Sequence, residues 1–377
     1  MRAIAILAAT LAAPACFGQT ADDFFRSAGA VFRYTDEEQR LYWAPHIEHS
    51  HRRILEAADL AAGRSVATVL GAGSCAEIPL AELAERFERV VLVDMDGASM
   101  VRAVEPLPVE LRSKIELRVT DVTTFAATLM DRLAAAVEAS EAPEAALQGI
   151  RQAFDAVDGG AQPVRLPRSD LVVSSLVLSE LDRYPLTFTD RLLRARYGVR
   201  LESWTGYAEA RDRLRRLTIA DHVQLLASLC RPDGAIYYGD TVARGPAYAQ
   251  FDPALRAAAE NAAFTDFERL GLVKTRAAMR AVVGALCRAE HPVETEVAAF
   301  ERLLEAYERM AADTFEPLVD LDEARRQWAV HGLQPRGEPT SWWWLEYPCA
   351  IVHSAGGFRV RSWILRPAGS AGRPGSS

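Results

Sequence analysis

The side chains in this chain best placed for chemistry are two carboxylates set beside a bend of small residues. The bend, Gly71-Ala72-Gly73-Ser74-Cys75-Ala76, follows the apolar run Val66–Leu70. Asp94 closes the next apolar run, Val90–Val93, and Asp121 closes the one after it. Glycine lets backbone turn sharply and approach a ligand closely. A carboxylate at an adjoining strand end accepts hydrogen bonds, and the hydroxyls and exocyclic amine of a nucleoside are donors. Residues 71–83 hold no Lys or Arg, so the bend suits a nucleoside that carries no phosphate to neutralise. The spacing also satisfies G-x-G-x-x-A with Asp94 near the distance a dinucleotide site needs, which keeps a nicotinamide cofactor open.

Groups that could act on a second molecule are fewer. Tyr42, Trp43, His46 and His49 lie together ahead of the first strand, and the two histidines share a helical face at i, i+3. They read either as a catalytic pair over the cleft or as a solvent-facing pair. Glu180 and Tyr184 follow the fourth strand and are placed to touch an acceptor. Trp342-Trp343-Trp344 could cage a cation or stack on a flat molecule, but packing of an inserted helical layer onto the sheet edge is the expectation. Cysteines at 16, 75, 230, 287 and 349 form no C-x-x-C pair, and no H-E-x-x-H pattern occurs. Neither a metal site nor a disulfide framework is expected.

The elements that must carry these groups can be followed along the chain. Residues 20–62 read as helix, with Thr35-Asp36-Glu37-Glu38 as a capping box, Pro45 as a kink or restart, and Gly63 as the C-cap. Five strands follow, at 66–70, 90–94, 115–120, 171–176 and 235–238. Leu171-Val172-Val173 is continuously apolar, as suits a strand buried on both faces of a parallel sheet. Residues 126–157 and 207–230 read as helix, Arg231-Pro232-Asp233-Gly234 as a turn, and the alternating 358–365 as a closing strand. The expected fold is α/β, a doubly wound and mostly parallel sheet with an antiparallel element near its C-terminal edge. Its core spans 63–245 plus 331–366, with a helical cap at 20–62, a helical insertion or lid at 246–330 and a disordered tail at 367–377.

This order of elements resembles the class I methyltransferases that use S-adenosylmethionine, over residues 63–245 and the closing strand. Four stretches carry the resemblance: the glycine loop at 69–75, Val91-Leu92-Val93-Asp94-Met95-Asp96, Val119-Thr120-Asp121-Val122, and the run Asp170 to Leu178. Leu229-Cys230-Arg231-Pro232-Asp233-Gly234 is similar to that family's turn before strand five. The resemblance implies S-adenosylmethionine as cofactor, held by Leu70, Gly71, Ala72, Gly73, Asp94, Met95, Asp121, Val122, Ser174 and Ser175. It places Asp94 on the ribose and Asp121 with Val122 at the adenine. It implies methyl transfer to an acceptor, expected to be a small molecule, with His46, His49, Glu180 and Tyr184 as candidates for catalysis or acceptor contact. Val69 stands where the family often has an acid holding the cofactor's ammonium, and Cys75 stands in place of its third glycine. Glu77 or a backbone carbonyl is left to face that ammonium. A NAD(P)-dependent oxidoreductase and a non-catalytic nucleoside-binding module are the competing readings.

Composition narrows the partners. The chain has 377 residues, 50% hydrophobic and 25% charged, enough for one large α/β core with insertions. A net charge of −8 disfavours nucleic acid as partner, and Arg211–Arg216 reads as a solvated helix face among mixed charges. Met1-Arg2, the apolar run Ala3–Ala13 and Ala13-Pro14-Ala15 have the layout of a short secretory signal. Residues 1–19 read as that signal, as a mis-called start, or as an apolar helix packed on the domain. No later run reaches ~18 apolar residues, so no membrane span is expected in the mature chain. A cytosolic cofactor makes the cytoplasm the expected location, with export as the alternative if 1–19 is a true signal.

Overall fold

The computed structural model describes residues 37–123, 125–157, 164–245, 315–345 and 357–369, together with Phe24 and Glu308. The signal-like segment 1–19, Thr35 of the expected capping box, the Tyr42 side chain and the insertion from 246 to 314 apart from Glu308 lie outside the described residues.

Five apolar runs form β1 (Val66–Leu70), β2 (Arg89–Asp94), β3 (Ile115–Val119), β4 (Ser169–Ser175) and β5 (Cys230–Arg244). They pair in parallel in the order β3-β2-β1-β4-β5. The chain winds outward from β1 to β3, then crosses to β4, so the winding reverses between β1 and β4. Beyond β5 come β6 (Glu316–Pro317), β7 (Leu333–Pro335), β8 (Thr340–Leu345) and β9 (Gly357–Pro367). β9 pairs antiparallel with β5, and β7 and β8 both pair antiparallel with β9. The fold is the expected doubly wound, mostly parallel α/β sheet with an antiparallel edge.

Side chains alternate across each strand, so each strand feeds two apolar layers. Val90, Leu92, Leu171, Val173 and Tyr237 enter one layer. It is covered by α1 (Glu37–Leu60) through Ile54, Ala57 and Ala58, by α2 (Leu80–Arg86) through Leu83, and by α3 (Gly97–Val104) through Met100. The crossover to β4 contains α4 (Ala126–Glu138) and α5 (Pro143–Asp155). After β4 come α6 (Leu178–Leu181), α7 (Arg183–Tyr197) and α8 (Tyr207–Leu229). Val91, Val93, Val172, Ile236 and Tyr238 enter the other layer, covered by Ile219, Val223 and Leu226 of α8. Ala324 and Trp328 of α9 (Leu321–Val330) complete it, so the end of the expected insertion packs on the core. Fully burying one such aliphatic side chain contributes about 1.5–3 kcal/mol.

Several local expectations change. α1 runs through Pro45 as one helix; the single amide bond lost there is outweighed by burial of Trp43, His46 and Ser50 around it. Gly63 is not a left-handed cap, because α1 ends at Leu60 and Gly63 has no positive φ. Its reason is close approach: a Cβ there would lie 2.2 Å from Asp170 Oδ1. Residues 126–157 break into α4 and α5, with Pro143 starting the second helix. The Arg231–Gly234 turn is taken up as an irregularity inside β5, where pairing jumps from Ser169–Cys230 to Leu171–Ala235. Trp342–Trp344 belongs to β8 itself, as aromatic residues favour strands. Trp342 and Trp344 meet α1 on one face, and Trp343 meets Phe315 on the other.

Candidate functional site

The C-terminal tips of the parallel strands surround a cleft with an empty volume of about 1370 Å³, its open mouth included. Open α/β sheets hold ligands at this end, where the winding reverses. Gly71, Ala72, Gly73, Asp94, Met95, Asp121, Val122 and Ser175 line it together with His46, Glu180 and Tyr184. Leu70, Ser174 and His49 do not. Leu70 is fully buried in an apolar layer. Ser174 points to the opposite sheet face from Ser175, and its Oγ lies 2.8 Å from His222 Nε2. His49 stacks on the Trp342 ring at 5.4 Å.

The glycine loop is built by backbone conformations that most residues avoid. Gly71, Gly73 and Cys75 have φ of 64°, 46° and 53°. Gly71 is needed twice over, since a Cβ there would stand 2.5 Å from Val177 Cγ2. Cys75 occupies a left-handed position at a cost of roughly 1–2 kcal/mol, and burial pushes its thiol pKa well up. Asp94 ties the loop to the tip of β2. Its Oδ2 accepts the Gly73 N–H at 2.8 Å, and its Oδ1 accepts the Asp96 N–H at 2.7 Å. Burial pushes the Asp94 pKa up while these amides pull it down. Each oxygen keeps a second lone pair for a ligand in the cleft.

Asp121 has a structural task as well as its place in the lining. Its Oδ1 accepts from Thr123 N and Oγ1, both at 2.8 Å, and its Oδ2 accepts from Ala127 N at 3.0 Å, which fixes the start of α4. Burial again pushes its pKa up against those bonds.

A buried acid not singled out by sequence reasoning shapes the β4 side. Leu176 has φ 56°, strained for a side-chain-bearing residue, and its N–H donates to Gly239 O at 2.8 Å. Asp240 holds the segment that follows, accepting from Leu178 N at 2.8 Å, Thr241 N at 2.8 Å and Ser179 N at 3.2 Å. Thr241 Oγ1 donates to Ser179 Oγ at 2.7 Å, and both residues line the cleft. Burial pushes the Asp240 pKa up to about 7. The signal was an acid directly after the apolar run Ala235–Tyr238 and Gly239.

The cleft's far wall is aromatic. Trp43 meets Trp344 edge-on at 5.0 Å, and His46 stacks on Trp344 at 4.9 Å with the planes 16° apart. Trp342 Nε1 donates to His46 Nδ1 at 3.0 Å. A neutral ring that accepts at Nδ1 carries its proton on Nε2. Burial, helped by the charges of His49 and His51, pushes the His46 pKa down to about 3. His46 is therefore a neutral hydrogen-bond donor rather than a proton acceptor.

Among the described residues no Lys or Arg lines the cleft, and no cluster of three or more His, Cys, Asp or Glu could hold a metal. Three arginines of α8 are paired: Arg211 with Asp212 at 3.2 Å, Arg213 with Asp155 at 2.9 Å and Arg215 with Asp182 at 3.1 Å. No helix among the described residues is long and apolar enough to cross a membrane.

No protein-family model and no curated protein sequence matches the chain. Solved structures similar to it include the N-methyltransferase NodS from Bradyrhizobium japonicum, at 11% identity and TM-score 0.31, covering 86% of this chain and 97% of that one. An S-adenosylmethionine-dependent methyltransferase from Leishmania major is 10% identical at TM-score 0.36, covering 92% and 81%. An O-methyltransferase family protein from Burkholderia thailandensis is 13% identical at TM-score 0.37, covering 98% and 69%. The β3-β2-β1-β4-β5 order with an antiparallel β9 beside β5 makes the chain's fold a doubly wound, mostly parallel α/β sheet.

Proposed function

We propose that this protein is an S-adenosylmethionine-dependent methyltransferase acting on a small-molecule acceptor. The observation that carries the reading is the joined loop and acid: Gly73 N–H on Asp94, inside a cleft whose described lining has no Lys or Arg. A dinucleotide fingerprint opens straight into a helix, so that pyrophosphate meets unpaired N–H groups. Here turns occupy the residues after Gly73, and α2 begins only at Leu80. That arrangement suits a nucleoside without phosphate better than a nicotinamide dinucleotide.

In this reading the remaining lone pairs of Asp94 take the ribose hydroxyls. Asp121 and Val122 meet the adenine, and Ser175 stands beside the reacting end. Trp43, His46, Trp344, Glu180 and Tyr184 form the acceptor side. The cofactor, when bound, supplies a methyl group on an already positive sulfur, so the leaving group needs no activation. The chain's own task is alignment and exclusion of water, which can supply much of the rate. His46 serves by donating from Nε2, and a general base is needed only for a protonated nucleophile. The pairing of Arg211, Arg213 and Arg215 in α8 supports a small molecule over nucleic acid, and the cofactor supports a cytoplasmic location.

Calorimetric titration with S-adenosylhomocysteine and with NADH tests the reading. S-adenosylhomocysteine is expected to bind and NADH to give no heat. Tight NADH binding without S-adenosylhomocysteine binding would replace the proposal with an oxidoreductase.

A further inference from the structure

β3 closes one end of the sheet, with β2 on one side and, among the described residues, no strand on the other. Lys114 O accepts from Val90 N at 2.9 Å, and Thr120 N donates to Asp94 O at 3.1 Å. The backbone groups of a strand alternate from side to side, so the even-numbered residues turn towards β2. Ile115, Leu117 and Val119 therefore direct their N–H and C=O groups outwards, where nothing among the described residues pairs with them. Such a row is a template for another strand unless something blunts it.

The usual protections are weak on this edge. β3 contains no proline, and it carries one charge of each sign, Glu116 and Arg118. Val119 is 63% exposed and lies beside the start of α3, where a Cβ on Gly97 would stand 2.7 Å from its Cγ2. Val101 follows Gly97 by one turn on the same helical face and is 55% exposed.

The residue order makes this edge complementary to itself. In an antiparallel pairing of two copies centred on Leu117, Ile115 lies opposite Val119, and Glu116 lies opposite Arg118. The outward-facing residues 115, 117 and 119 then form the hydrogen-bonded pairs. Glu116 and Arg118 fall in the other pairs, where side chains come closest. Moving the centre by one residue sets Glu116 against Glu116 or Arg118 against Arg118, which like charge disfavours. Within one copy Arg118 already meets Glu116, and Arg89 Nη1 lies 3.5 Å from the same carboxylate. These pairs are partly exposed, so turning Arg118 to a second copy costs little.

We infer that β3 is an interaction surface for a second copy of this chain, the two sheets joining antiparallel about Leu117. The pairing points the strand tips of the two copies in opposite directions, so both clefts stay open.

Analytical ultracentrifugation of the full-length protein over a concentration series tests this. Wild type should sediment at twice the chain mass and fall to the monomer only on dilution. Glu116→Arg and Arg118→Glu each set like charges opposite one another, and each should weaken dimerisation about 10- to 100-fold. Mixing these two variants should restore a dimer, because every facing pair is then of opposite sign. Inside each variant the charges remain alike, so recovery reports pairing between chains. Circular dichroism checks that each variant is folded. Should a single variant misfold, the double exchange of Glu116→Arg with Arg118→Glu keeps the pair within the chain. It should dimerise like wild type yet form no mixed dimer with it, read by native mass spectrometry. A wild type that stays monomeric throughout overturns the inference. So does a dimer that the single variants leave unchanged, a mixture of them that stays monomeric, or free mixing of the double variant with wild type.

Discussion

At the N-terminal ends of the parallel strands, Asp170 commits its carboxylate to the protein. Oδ2 accepts Ser65 N–H at 2.8 Å and Val66 N–H at 2.9 Å, and Oδ1 meets Arg231 Nη1 at 2.8 Å. At the C-terminal ends, Asp94 accepts one loop amide on each oxygen, and Glu77 accepts none but its own. The same chemical group is closed off at one end of the sheet and left receptive at the other. A carboxylate with all its bonds made is a fastener. One with lone pairs facing a cleft holds a place for donors that arrive with a ligand.

The largest expected effect is at the closed end. Asp170→Ala leaves the buried Val66 amide and the part-buried Ser65 amide without an acceptor and a guanidinium without its partner. Arg231 is partly exposed, so the loss rests mainly on the amides and amounts to about 3 kcal/mol. Urea unfolding should show it as a lower midpoint, while the folded fraction keeps its S-adenosylhomocysteine affinity. A smaller stability loss than that of Asp94→Ala would reverse the contrast drawn here.

At the receptive end the effect should move from folding to binding. Asp94→Ala removes a charge-assisted acceptor for the ribose, worth on the order of 1.5–3 kcal/mol, so S-adenosylhomocysteine affinity should fall about 10- to 100-fold. Calorimetry on protein with native circular dichroism reads this directly. Unchanged affinity would leave Asp94 as a loop fastener like Asp170.

Much of this contrast is legible in sequence because strand ends are. Val90–Val93 and Leu171–Val173 are apolar through both faces, and Val66–Leu70 is so apart from Thr68, so their termini, and the acids standing there, locate themselves. What sequence leaves unread is whatever depends on parity or on distant pairing. Ser174 and Ser175 are chemically alike, yet strand alternation sends one to His222 and the other to the cleft. Asp240 reads as a residue beyond a short strand because the extension of β5 to Arg244 is stabilised by β9, far along the chain. The Trp342–Trp344 run is likewise a strand through its pairing with β9, and only that pairing brings Trp344 to His46. Proline at 45 is a strong local signal that tertiary packing overrides.

The smallest expected effect separates the two faces of the sheet rather than its two ends. His222, beneath Ser174, has its pKa pushed down to about 4 by burial, as His46 on the cleft side is pushed to about 3. In both, the unfolded chain binds a proton more readily than the folded one. The stability they contribute is present above the ordinary histidine value near 6.5 and is lost as pH falls through it towards 4. Asp240 and Glu77, pushed up to about 7, act in the opposite sense, losing their contribution as pH rises through that value. A wild-type pH profile therefore mixes the two, and a difference between proteins isolates one. Between pH 8 and pH 6, wild type should lose about 1 kcal/mol more than His222→Gln, measured by urea unfolding at both values. Saturating S-adenosylhomocysteine should leave that difference intact, because Ser174 turns His222 away from the cleft. A difference abolished by ligand would place His222 in communication with the site and remove the separation between the faces.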